Sequence, residues 1–474
     1  MENLLAYLKE PVNKDWFIGY NSDEFLQLSE QFFSDLRPQT NRKAPLKVLL
    51  VESEQFRFLA AFLAAVTAGC SVFLGNPNWV EQEWQDVFEL VQPDVILGNV
   101  SIFSQLDKNK KRGKCQIDNR QQILIPTGGS SGNIRFAIHT WETLMASVYG
   151  FKEYFQLNSI NSFCVLPLYH VSGLMQFMRS VTTGGQLRLG SFKSFQLGEY
   201  LNLNPEDFFI SLVPTQLQRC LENPQLTDWL SQFKTVLLGG APAWAELLEQ
   251  ARFYNIPLAL TYGMTETASQ VVTLKPKDFL KGNNSSGQVL PHAKITIRNS
   301  LGEILGANQT GRITIESNSL ALGYYPGESL NSHADSFSKI PRFQSDDLGF
   351  FDEQGYLKVI GRCSNKIITG GENVFPAEVE AAILATQLVA DVAVIGLPDN
   401  YWGEVVTAIY VPRVSDVSSV SLKTAIAEKI SKFKQPKYWI PVERLPRNEQ
   451  GKINHEKLKT LATQFLNTAI GSST

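Results

Sequence analysis

The chain has 474 residues with 43% hydrophobic and 19% charged positions, and its formal net charge is −3. This length exceeds what one hydrophobic core usually serves, so we expect at least two domains in a globular, ordered protein. The nearly balanced charge gives no electrostatic reason to expect nucleic acid or an anionic membrane surface as a partner. Partners must therefore be inferred from sites, and a homo-oligomer stays open.

Cysteine usage and the N-terminus indicate a cytoplasmic protein. The five cysteines form no C-x-x-C pair and have no histidine at metal-ligand spacing, so reduced structural thiols are expected. The N-terminus M-E-N-L-L-A-Y-L-K-E lacks a basic region before a long apolar core, so no signal peptide is predicted. Residues 58–74 form a long apolar run that Thr67, Gly69 and Ser71 divide into a helix end and a strand, which argues against membrane insertion.

Up to about Ser285, short apolar strands alternate with amphipathic helices. Most of these strands meet Pro or Gly at their ends, as in open α/β sheets that place ligands at the carboxyl ends of strands. The predicted strands are K-V-L-L-V at Lys47, S-F-C-V-L-P-L at Ser162, F-F-I-S-L-V-P at Phe208, T-V-L-L-G-G at Thr235 and L-A-L-T-Y-G at Leu258.

The pattern changes twice beyond this region. From Lys294, the segments K-I-T-I-R and R-I-T-I-E alternate like antiparallel strands, which predicts a β-rich subdomain. Beyond Gly361, helices are predicted over residues 376–384 and 422–433, and strands over residues 392–395 and 405–411. The predicted fold is α/β: a large N-terminal domain of α/β subdomains plus a β-rich subdomain, residues 1–361, and a small α+β C-terminal domain, residues 362–474.

The segment I-P-T-G-G-S-S-G-N-I-R, residues 125–135, combines glycines, hydroxyls and a closing cation, which suits the binding of phosphates. Asn133 follows the last glycine where the common P-loop has a lysine, so a kinase or ATPase of that type is disfavoured. An ordinary polar surface loop is the alternative. The candidate phosphate-binding residues are Thr127, Gly128, Gly129, Ser130, Ser131, Gly132 and Arg135.

The segment L-P-L-Y-H-V-S-G-L-M-Q-F-M-R-S at Leu166 predicts an apolar helix that carries Arg179. A guanidinium in so apolar a stretch needs an anionic partner if it is buried. The alternative is that Arg179 lies on a wet helix face or extends its head to solvent. His170, at the entry to this helix, is equally compatible with a hydrogen-bonded core position.

Two acidic motifs follow. In T-Y-G-M-T-E-T-A at Thr261, a hydroxyl at Thr265 stands next to a carboxylate at Glu266, a pair that suits Mg²⁺ held between protein and phosphate oxygens. A helix start capped by Thr265 is the alternative. In F-Q-S-D-D-L-G at Phe343, Asp347 could accept hydrogen bonds from both hydroxyls of a ribose, or it could be a solvated turn residue.

The last two motifs carry glycine and positive charge. The segment G-R-C-S-N-K-I-I-T-G-G-E-N-V-F-P at Gly361 joins a cation to a glycine pair and a helix start near Pro376. A plain linker would not need so many glycines and charged residues. The segment L-P-R-N-E-Q-G-K-I-N at Leu445 presents Lys452 on a turn near the end of the chain. A lone lysine there is normally just exposed to solvent, so its role depends on the other motifs.

Together and in this order, the motifs resemble the adenylate-forming acyl-CoA synthetase (AMP-binding) family over about residues 47–459. A single motif would be weak, whereas this ordered set with matching spacing is specific. The resemblance implies that a carboxylate attacks the α-phosphate of ATP to give an acyl-adenylate and pyrophosphate. The thiol of CoA then displaces AMP to give a thioester. ATP, Mg²⁺ and CoA are thus the implied cofactor and cosubstrates.

The resemblance also implies a role for each matching residue. Thr265 and Glu266 would meet the α-phosphate and Mg²⁺, with Glu266 as the metal ligand, and Lys452 would bridge the substrate carboxylate and the ATP phosphate during adenylation. The residues from Thr127 to Arg135 would hold the β- and γ-phosphates. The remaining implied nucleotide contacts are Tyr262, Gly240, Ala241 and Pro242 at the adenine, and Asp347 and Arg362 at the ribose.

In this family the C-terminal domain is mobile, because the adenylation lysine would obstruct CoA in the second step. The resemblance places the hinge at Ser364 and brings Gly370 and Gly371 to the CoA thiol. Several positions depart from the frequent pattern, and Ile134 and Asn365 are among them. Arg135 replaces a lysine, Ser364 stands where many members have an acid, and Asp346 stands where glycine is frequent.

A closer resemblance within the family is to the synthetases that activate o-succinylbenzoate in menaquinone or phylloquinone biosynthesis. It rests on T-G-G-S-S-G, on P-L-Y-H-V-S-G-L with an arginine nine residues after the histidine, and on S-L-V-P-T-Q-L at Ser211. That substrate has two carboxylates, and the resemblance implies that Arg179 pairs with the one that is not activated. Further implied pocket residues are His170, Thr215, Gly239, Ser269 and Gln270.

Other activities stay open at this point. The nucleotide motifs do not determine the acyl pocket, so another aryl or medium-chain acid is an alternative substrate. A stand-alone adenylation module that loads a carrier protein, or a non-catalytic homologue, is a further alternative. The retention of Lys452, Glu266 and Asp347 argues against a non-catalytic protein.

Overall fold

A computed structural model describes most of the chain, including every strand and helix discussed below. The described residues are 16–36, 44–98, 121–128, 134–199, 203–329, 340–369, 372–399, 401–414, 417–427, 429–447 and 453–471.

Two large sheets carry the N-terminal part of the fold, and the first has seven strands in the order β17-β16-β6-β5-β3-β2-β4. Its β5-β3-β2-β4 part is parallel, whereas β5-β6-β16-β17 is antiparallel. Its strands are β2 (Lys47–Val51), β3 (Ser71–Leu74), β4 (Val95–Gly98), β5 (Ile123–Gly128), β6 (Ile134–His139), β16 (Gly323–Tyr325) and β17 (Glu328–Ser329).

The second large sheet has eight strands in the order β1-β8-β7-β9-β10-β11-β12-β13. It is parallel from β1 to β11 and antiparallel from β11 to β13. Its strands are β1 (Phe17–Ile18), β7 (Asn161–Cys164), β8 (Leu187–Leu189), β9 (Phe208–Leu212), β10 (Thr235–Leu238), β11 (Leu258–Met264), β12 (Ser269–Thr273) and β13 (Gln288–Val289).

Two smaller sheets complete the fold. A four-stranded sheet has the order β14-β15-β18-β19, and its strands are β14 (Ala293–Arg298), β15 (Gly311–Ser317), β18 (Arg342–Phe351) and β19 (Leu357–Arg362). A five-stranded sheet has the order β21-β20-β23-β22 with β24 paired to β23, and its strands are β20 (Ile367–Thr369), β21 (Glu372–Val374), β22 (Val389–Asp399), β23 (Gly403–Pro412) and β24 (Tyr438–Pro441).

The helices alternate with these strands along the chain. They are α1 (Ser22–Leu36), α2 (Gln55–Thr67), α3 (Glu81–Val91), α4 (Trp141–Phe155), α5 (Val171–Thr183), α6 (Phe192–Gln196), α7 (Pro214–Leu221), α8 (Pro224–Ser231), α9 (Ala245–Phe253), α10 (Pro276–Leu280), α11 (Pro376–Leu384), α12 (Ser419–Ile426) and α13 (His455–Gly471).

The main core joins both large sheets. Helix α2 is apolar on nearly all sides and buries every residue from 58 to 66, as its sequence Q-F-R-F-L-A-A-F-L-A-A-V-T requires. It begins where the carboxylate of Glu54 accepts hydrogen bonds from the backbone N–H of Phe56 and Arg57, at 2.9 and 2.7 Å. The same core contains Val48 of the seven-stranded sheet and Leu187 of the eight-stranded sheet.

The chain forms two compact units, each built from several segments. The first contains residues 1–240, 251–295 and 315–343, and the second contains residues 241–250, 296–314 and 344–474. Within the second unit, one core cluster packs α11 and α12 on β22 and β23, and another includes Leu458 and Ala462 of α13. The predicted boundary between residues 361 and 362 stays a proposal.

The predicted fold class, α/β with a large N-terminal part and a small α+β C-terminal part, is confirmed. Helix α11 spans the predicted residues, whereas the helix predicted over 422–433 is wrong at both ends. Ser418 caps α12 by accepting the Ser421 N–H at 3.1 Å, so the helix begins earlier. After Ile426 the chain turns through i→i+3 bonds such as Lys434 N–H to Ser431 O, 2.9 Å, which ends the α-helical pattern.

Candidate active site

The ends of the predicted phosphate-binding segment lie on paired antiparallel strands. Thr127 on β5 pairs with Arg135 on β6, and Gly128 pairs with Ile134. The strand pairing therefore holds the Arg135 cation beside Thr127. The other predicted residues of this segment, Gly129, Ser130, Ser131 and Gly132, lie outside the described residues.

Tyr324 joins the phosphate-segment cation to the predicted metal-binding carboxylate. The Arg135 guanidinium lies 4.4 Å from the centroid of the Tyr324 ring, and the Tyr324 hydroxyl donates a 2.5 Å hydrogen bond to Glu266 Oε1. Strand pairing places Tyr324 opposite Ala137 on β6, so the sheet itself positions this tyrosine. Sequence reasoning missed Tyr324, because G-Y-Y-P carries no motif of its own.

Thr265 and Glu266 lie on a short 3-10 turn, Thr265–Thr267, that links β11 to β12. The following residues Ala268 and Ser269 have left-handed backbone angles, with φ of 51° and 98°. Such conformations are costly for residues with a side chain and persist where surrounding contacts hold them. At Gly263 a Cβ would stand 2.1 Å from the Ser269 carbonyl oxygen, so only glycine allows this approach.

His139 holds this turn from the opposite strand. It is fully buried at the end of β6, its Nε2 lies 2.7 Å from the Thr265 carbonyl oxygen, and its Nδ1 lies 3.0 Å from Thr143 Oγ1. Burial lowers the pKa of His139 to about 4, although the bond to Thr265 opposes the shift. The imidazole is thus neutral near pH 7. Sequence reasoning missed this histidine as well.

The predicted adenine contacts lie at the ends of neighbouring strands. Gly239 and Gly240 follow β10, and Tyr262 lies on β11, which runs parallel to β10. A Cβ at Gly239 would stand 2.3 Å from Thr261 Oγ1, and Gly240 has a φ of +82°, so both positions require glycine. Ala241 and Pro242 follow in the chain and belong to the second compact unit.

The two predicted ribose residues lie side by side. Asp347 on β18 pairs with Arg362 on β19, and Arg362 Nε lies 3.5 Å from Asp347 Oδ1. The Asp347 side chain is 14% exposed and that of Arg362 is 55% exposed. An acceptor and a donor are therefore adjacent, as binding of vicinal hydroxyls requires.

The predicted hinge residue is tied to an aspartate on another strand. The backbone N–H of Ser364 donates to Asp346 Oδ2 at 3.2 Å, and its hydroxyl donates to the same oxygen. Asp346 thus supplies a carboxylate to Ser364, the predicted hinge residue. Gly370, Gly371 and Lys452 lie outside the described residues.

Arg179 is buried on α5, with 3% of its surface exposed, so the alternative of a wet helix face is wrong. Its Nη2 donates to Ser269 Oγ at 2.9 Å and to Gln270 Oε1 at 2.8 Å, and its guanidinium lies 4.2 Å from the centroid of the Phe151 ring. Burial lowers the pKa of Arg179 to about 9, so it stays charged at pH 7. No carboxylate among the described residues pairs with it.

The surroundings of Arg179 contain further polar atoms without a partner. In the described part of the chain, Arg179 Nε, Gln270 Nε2 and both ring nitrogens of His292 are buried and have no hydrogen bond. Burial, and secondarily the charge of Arg179, lower the pKa of His292 to about 4. Gly150 on α4 makes room for this ring, since a Cβ there would stand 1.8 Å from His292 Nδ1. Sequence reasoning missed His292.

The other two predicted pocket residues lie at helix starts. His170 precedes α5 at the N-cap position, is half-buried, and packs edge-on against Tyr169 with ring centroids 4.5 Å apart. Thr215 is exposed in the first turn of α7. The structure therefore brings Ser269 and Gln270 to Arg179, whereas Thr215 faces solvent.

Magnesium would depend mainly on ligands from the substrate. No group of three or more His, Cys, Asp or Glu side chains is placed to hold a metal within the described ranges. Glu266, with 9% of its surface exposed, offers a carboxylate oxygen, and Mg²⁺ is commonly bound by one or two carboxylates plus phosphates and water. This donor set fits Mg²⁺ delivered with ATP. None of the described helices is both long and apolar enough to span a bilayer.

Comparison with known proteins identifies the family of the chain. A profile of the AMP-binding enzyme family matches residues 118–325, and a profile of the AMP-binding enzyme C-terminal domain matches residues 378–452. The 2-succinylbenzoate–CoA ligase of Listeria innocua serovar 6a is 30% identical over 452 residues, which cover 92% of this chain and 93% of the relative.

Solved structures of o-succinylbenzoate CoA synthetase from Bacillus subtilis are also similar. The complex with the acyl-adenylate OSB-AMP has a TM-score of 0.83 at 26% identity and covers 96% of this chain and 98% of that chain. The complex with ATP and magnesium ion has a TM-score of 0.81 at 26% identity and covers 95% and 98%. The predicted resemblance to this group of synthetases is thus confirmed. The chain belongs to the AMP-binding enzyme family of adenylate-forming acyl-CoA synthetases.

Proposed function

We propose that this protein is an AMP-forming ligase that activates o-succinylbenzoate and transfers it to CoA. In the first step a carboxylate oxygen forms a bond to the α-phosphorus of ATP, and the bond from that phosphorus to pyrophosphate breaks. In the second step the sulfur of CoA bonds to the acyl carbon, AMP leaves with the former carboxylate oxygen, and the thiol proton is released. Relatives with this named substrate support the assignment.

The observation that carries the substrate assignment is the buried, charged Arg179. A buried guanidinium without an anionic partner is costly, and the unpaired donors beside it, on Gln270 and His292, indicate that an acceptor-rich group belongs there. The aryl carboxylate of o-succinylbenzoate supplies this group and leaves the aliphatic carboxylate for activation. A substrate with one carboxylate would leave the guanidinium buried and uncompensated.

For the adenylation step we assign the remaining site residues as the family resemblance implies. Arg135, with Thr127 and the glycine- and serine-rich segment that follows, holds the β- and γ-phosphates, and Thr265 meets the α-phosphate. Glu266 would hold Mg²⁺, which supplies positive charge against the phosphate oxygens. Lys452 bridges the two reacting anions, where a compact ammonium favours the transition state as negative charge builds at phosphorus.

The nucleoside and CoA positions complete the assignment. Tyr262 and the backbone at Gly240, Ala241 and Pro242 contact the adenine, while Asp347 and Arg362 bind the ribose hydroxyls. Asp347 and Arg362 already lie next to each other, which supports that role. For the second step we propose that the domain from residue 362 onward turns at Ser364 and brings Gly370 and Gly371 to the CoA thiol.

We place this reaction in quinone biosynthesis, menaquinone or phylloquinone, and in the cytoplasm. The compartment is supported by Cys70, Cys164 and Cys220, which are buried free thiols. Burial raises the pKa of Cys164 and Cys220 to about 12, so these thiols are inert rather than reactive.

Mass spectrometry of reaction products tests the function directly. The purified protein is mixed with ATP, Mg²⁺, CoA and one acid at a time from a panel that contains o-succinylbenzoate, benzoate and medium-chain fatty acids. We expect AMP and the o-succinylbenzoyl-CoA thioester, and no thioester from the other acids. Thioesters from other acids only would retain the family and reject the substrate, and an adenylate that is never passed to CoA would favour a carrier-protein module.

A further inference from the structure

His139 connects two parts of the site that are distant in sequence. It ends β6, the strand that begins beside Arg135, and its ring reaches the carbonyl of Thr265 across 126 residues of sequence. At 2.7 Å this is a short hydrogen bond, and the ring is fully shielded from water. A buried bond of this kind fixes the position of the group that it contacts.

The protonation state of the ring follows from its two partners. A carbonyl oxygen only accepts hydrogen bonds, so Nε2 carries the proton and donates to Thr265. The ring is neutral, so Nδ1 has a lone pair and faces the Thr143 hydroxyl at 3.0 Å, whose single proton is shared between this nitrogen and the Thr140 carbonyl oxygen, also at 3.0 Å. That hydroxyl also accepts the backbone N–H of Thr140, at 3.0 Å. Both ring nitrogens are thus engaged, and the ring has no free nitrogen for a substrate proton.

We propose that His139 is a positioning residue for adenylation, which orients the Thr265–Glu266 turn relative to the strand that follows the phosphate-binding segment. This inference rests on the proposed function, because that function assigns Thr265 and Glu266 to the α-phosphate and the metal. His139 acts through the Thr265 carbonyl and touches no reacting atom.

The contacts around the turn show why this one bond matters. The Thr265 carbonyl also accepts the N–H of Ala268 at 3.1 Å, but that bond is internal to the turn and cannot orient it against β6. The Glu266 carbonyl accepts the N–H of Ala321 at 2.8 Å, and Leu322 N–H donates to Ile138 O at 2.8 Å. The turn is thereby fastened on the β16 side, and His139 fastens it on the β6 side.

A matched pair of substitutions separates hydrogen bonding from packing. Glutamine and methionine have similar length and volume, but only glutamine has a donor that can reach the Thr265 carbonyl. The experiment measures pyrophosphate release with o-succinylbenzoate and ATP, and thioester formation from supplied o-succinylbenzoyl-adenylate and CoA, for wild type, His139→Gln and His139→Met. Thermal unfolding midpoints show whether each variant is folded at the assay temperature.

We expect His139→Gln to release pyrophosphate within about threefold of wild type, and His139→Met to be slower in kcat by about tenfold or more, since small misplacements of catalytic groups are costly. The KM for o-succinylbenzoate and the rate of thioester formation should change much less. The pH profile of His139→Gln should keep the shape of the wild-type profile, because the imidazole does not exchange protons with substrate.

Three outcomes would overturn the inference. Equal pyrophosphate release by the two folded variants would show that the bond does not position the turn. Parallel losses in both half-reactions and in acid binding would indicate a purely structural role. In these first two outcomes the proposed function would stand, provided that wild type released pyrophosphate normally. In the third outcome, wild type forms no adenylate with o-succinylbenzoate, which would overturn both the role of His139 and the proposed function.

Discussion

Tyr324 contacts Glu266, the proposed metal ligand, directly. Its hydroxyl donates a 2.5 Å hydrogen bond to Glu266 Oε1. The other carboxylate oxygen of Glu266 is the one that we propose binds a metal ion. The Tyr324 ring lies against the Arg135 guanidinium, and this cation–π contact stabilises the position of the guanidinium. One side chain therefore holds both the proposed metal ligand and the cation of the phosphate segment.

Substitution of Tyr324 by Phe should slow adenylation while preserving the contact with Arg135. The ring stays, but Glu266 loses its hydrogen bond, and loss of a bond to a charged group costs about 1.5–3 kcal/mol. We expect kcat for pyrophosphate release to fall by about tenfold or more, with a higher Mg²⁺ concentration at half-maximal rate. The measurement is a Mg²⁺ titration of pyrophosphate release.

The adjacent Tyr325 provides the control for that experiment. It lies on the same strand, is buried, and its hydroxyl accepts a 3.3 Å hydrogen bond from Lys47 Nζ instead of contacting Glu266. Tyr325→Phe should leave the Mg²⁺ dependence close to that of wild type. Identical Mg²⁺ curves for both variants would show that the Tyr324 hydroxyl does not prepare Glu266 for the metal.

Residues that belong to a motif were predictable from sequence, whereas those that act only by contact were not. Arg179 stood out as a cation in an apolar run, and Thr265–Glu266 as a polar pair after a strand. His139, Tyr324 and His292 carry no local signal, because they reach the site across long sequence separations, 126 residues for His139 and 58 for Tyr324. Such contacts exist only after the sheets have formed.

At the scale of elements, strands were easier to predict than helix ends. The apolar runs at Lys47, Phe208 and Thr235 are the strands β2, β9 and β10, because buried parallel strands are continuously apolar. The end of α12 could not be read in the same way. Apolar spacing continues past Ile426, but the backbone leaves the α-helical pattern there, and hydrogen bonding rather than composition decides that end.

Glu380 on helix α11 affects the stability of the protein to an extent that depends on pH. Burial raises the pKa of Glu380 to about 7, the Val394 N–H that donates to it at 2.8 Å opposes the shift, and Asp391 adds to it. Because the pKa is raised in the folded state, Glu380 does not lower the free energy of unfolding below about pH 4.5. As the pH rises from there to about 7, Glu380 lowers that free energy increasingly. The cost above pH 7 is at most about 3 kcal/mol.

Glu380→Gln should therefore stabilise the protein at pH 8 and have little effect at pH 4, because the amide oxygen still accepts from Val394 without a buried charge. Thermal unfolding followed by circular dichroism at both pH values checks this. The control is Glu378→Gln, which changes an exposed carboxylate on the same helix. An equal shift of the midpoint at pH 4 and pH 8 would contradict the account.

For the whole molecule, the predicted α/β architecture followed from the order of strand and helix patterns. The composition of the two compact units could not be predicted in this way. Residues 241–250 and 296–314 belong with residues 344–474, so the units are assembled from segments that are separated in the chain. Contiguous patterns reveal elements, but the packing of distant segments depends on tertiary contacts.

Two histidines whose ring nitrogens are shielded from water should make the protein sensitive to acid. Burial lowers the pKa of both His139 and His292 to about 4, compared with 6.5 when unfolded. As the pH falls, the unfolded chain therefore binds protons before the folded protein does. The contribution of each histidine to the free energy of unfolding is fully present above about pH 6.5 and falls by up to about 3 kcal/mol as the pH drops towards 4.

The double variant His139→Gln, His292→Gln isolates this effect from that of the carboxylates. Its unfolding free energy should fall less than that of wild type between pH 6.5 and 4, even if it is less stable than wild type at pH 7. Urea denaturation across this pH range measures both slopes. Parallel curves for the two proteins would show that neither histidine is held neutral by the fold.

We propose that Arg179 recognises the carboxylate of o-succinylbenzoate that is not activated, and a comparison of two proteins on two substrates tests this role. The kcat/KM of pyrophosphate release is measured for wild type and Arg179→Met with o-succinylbenzoate and with 4-oxo-4-phenylbutanoate, which lacks the aryl carboxylate. Methionine retains much of the apolar contact with Phe151. Arg252→Met, which removes another arginine that lies on a phenylalanine ring, is the control.

We predict that Arg179→Met lowers kcat/KM for o-succinylbenzoate by about 10²-fold, as expected when one partner of a buried ion pair is removed. The same substitution should change kcat/KM for 4-oxo-4-phenylbutanoate by less than about threefold, because that acid offers the guanidinium no partner. Arg252→Met should affect neither substrate. Equal losses with both acids would contradict the claim and would place Arg179 in the structure of the helix rather than in recognition of the substrate.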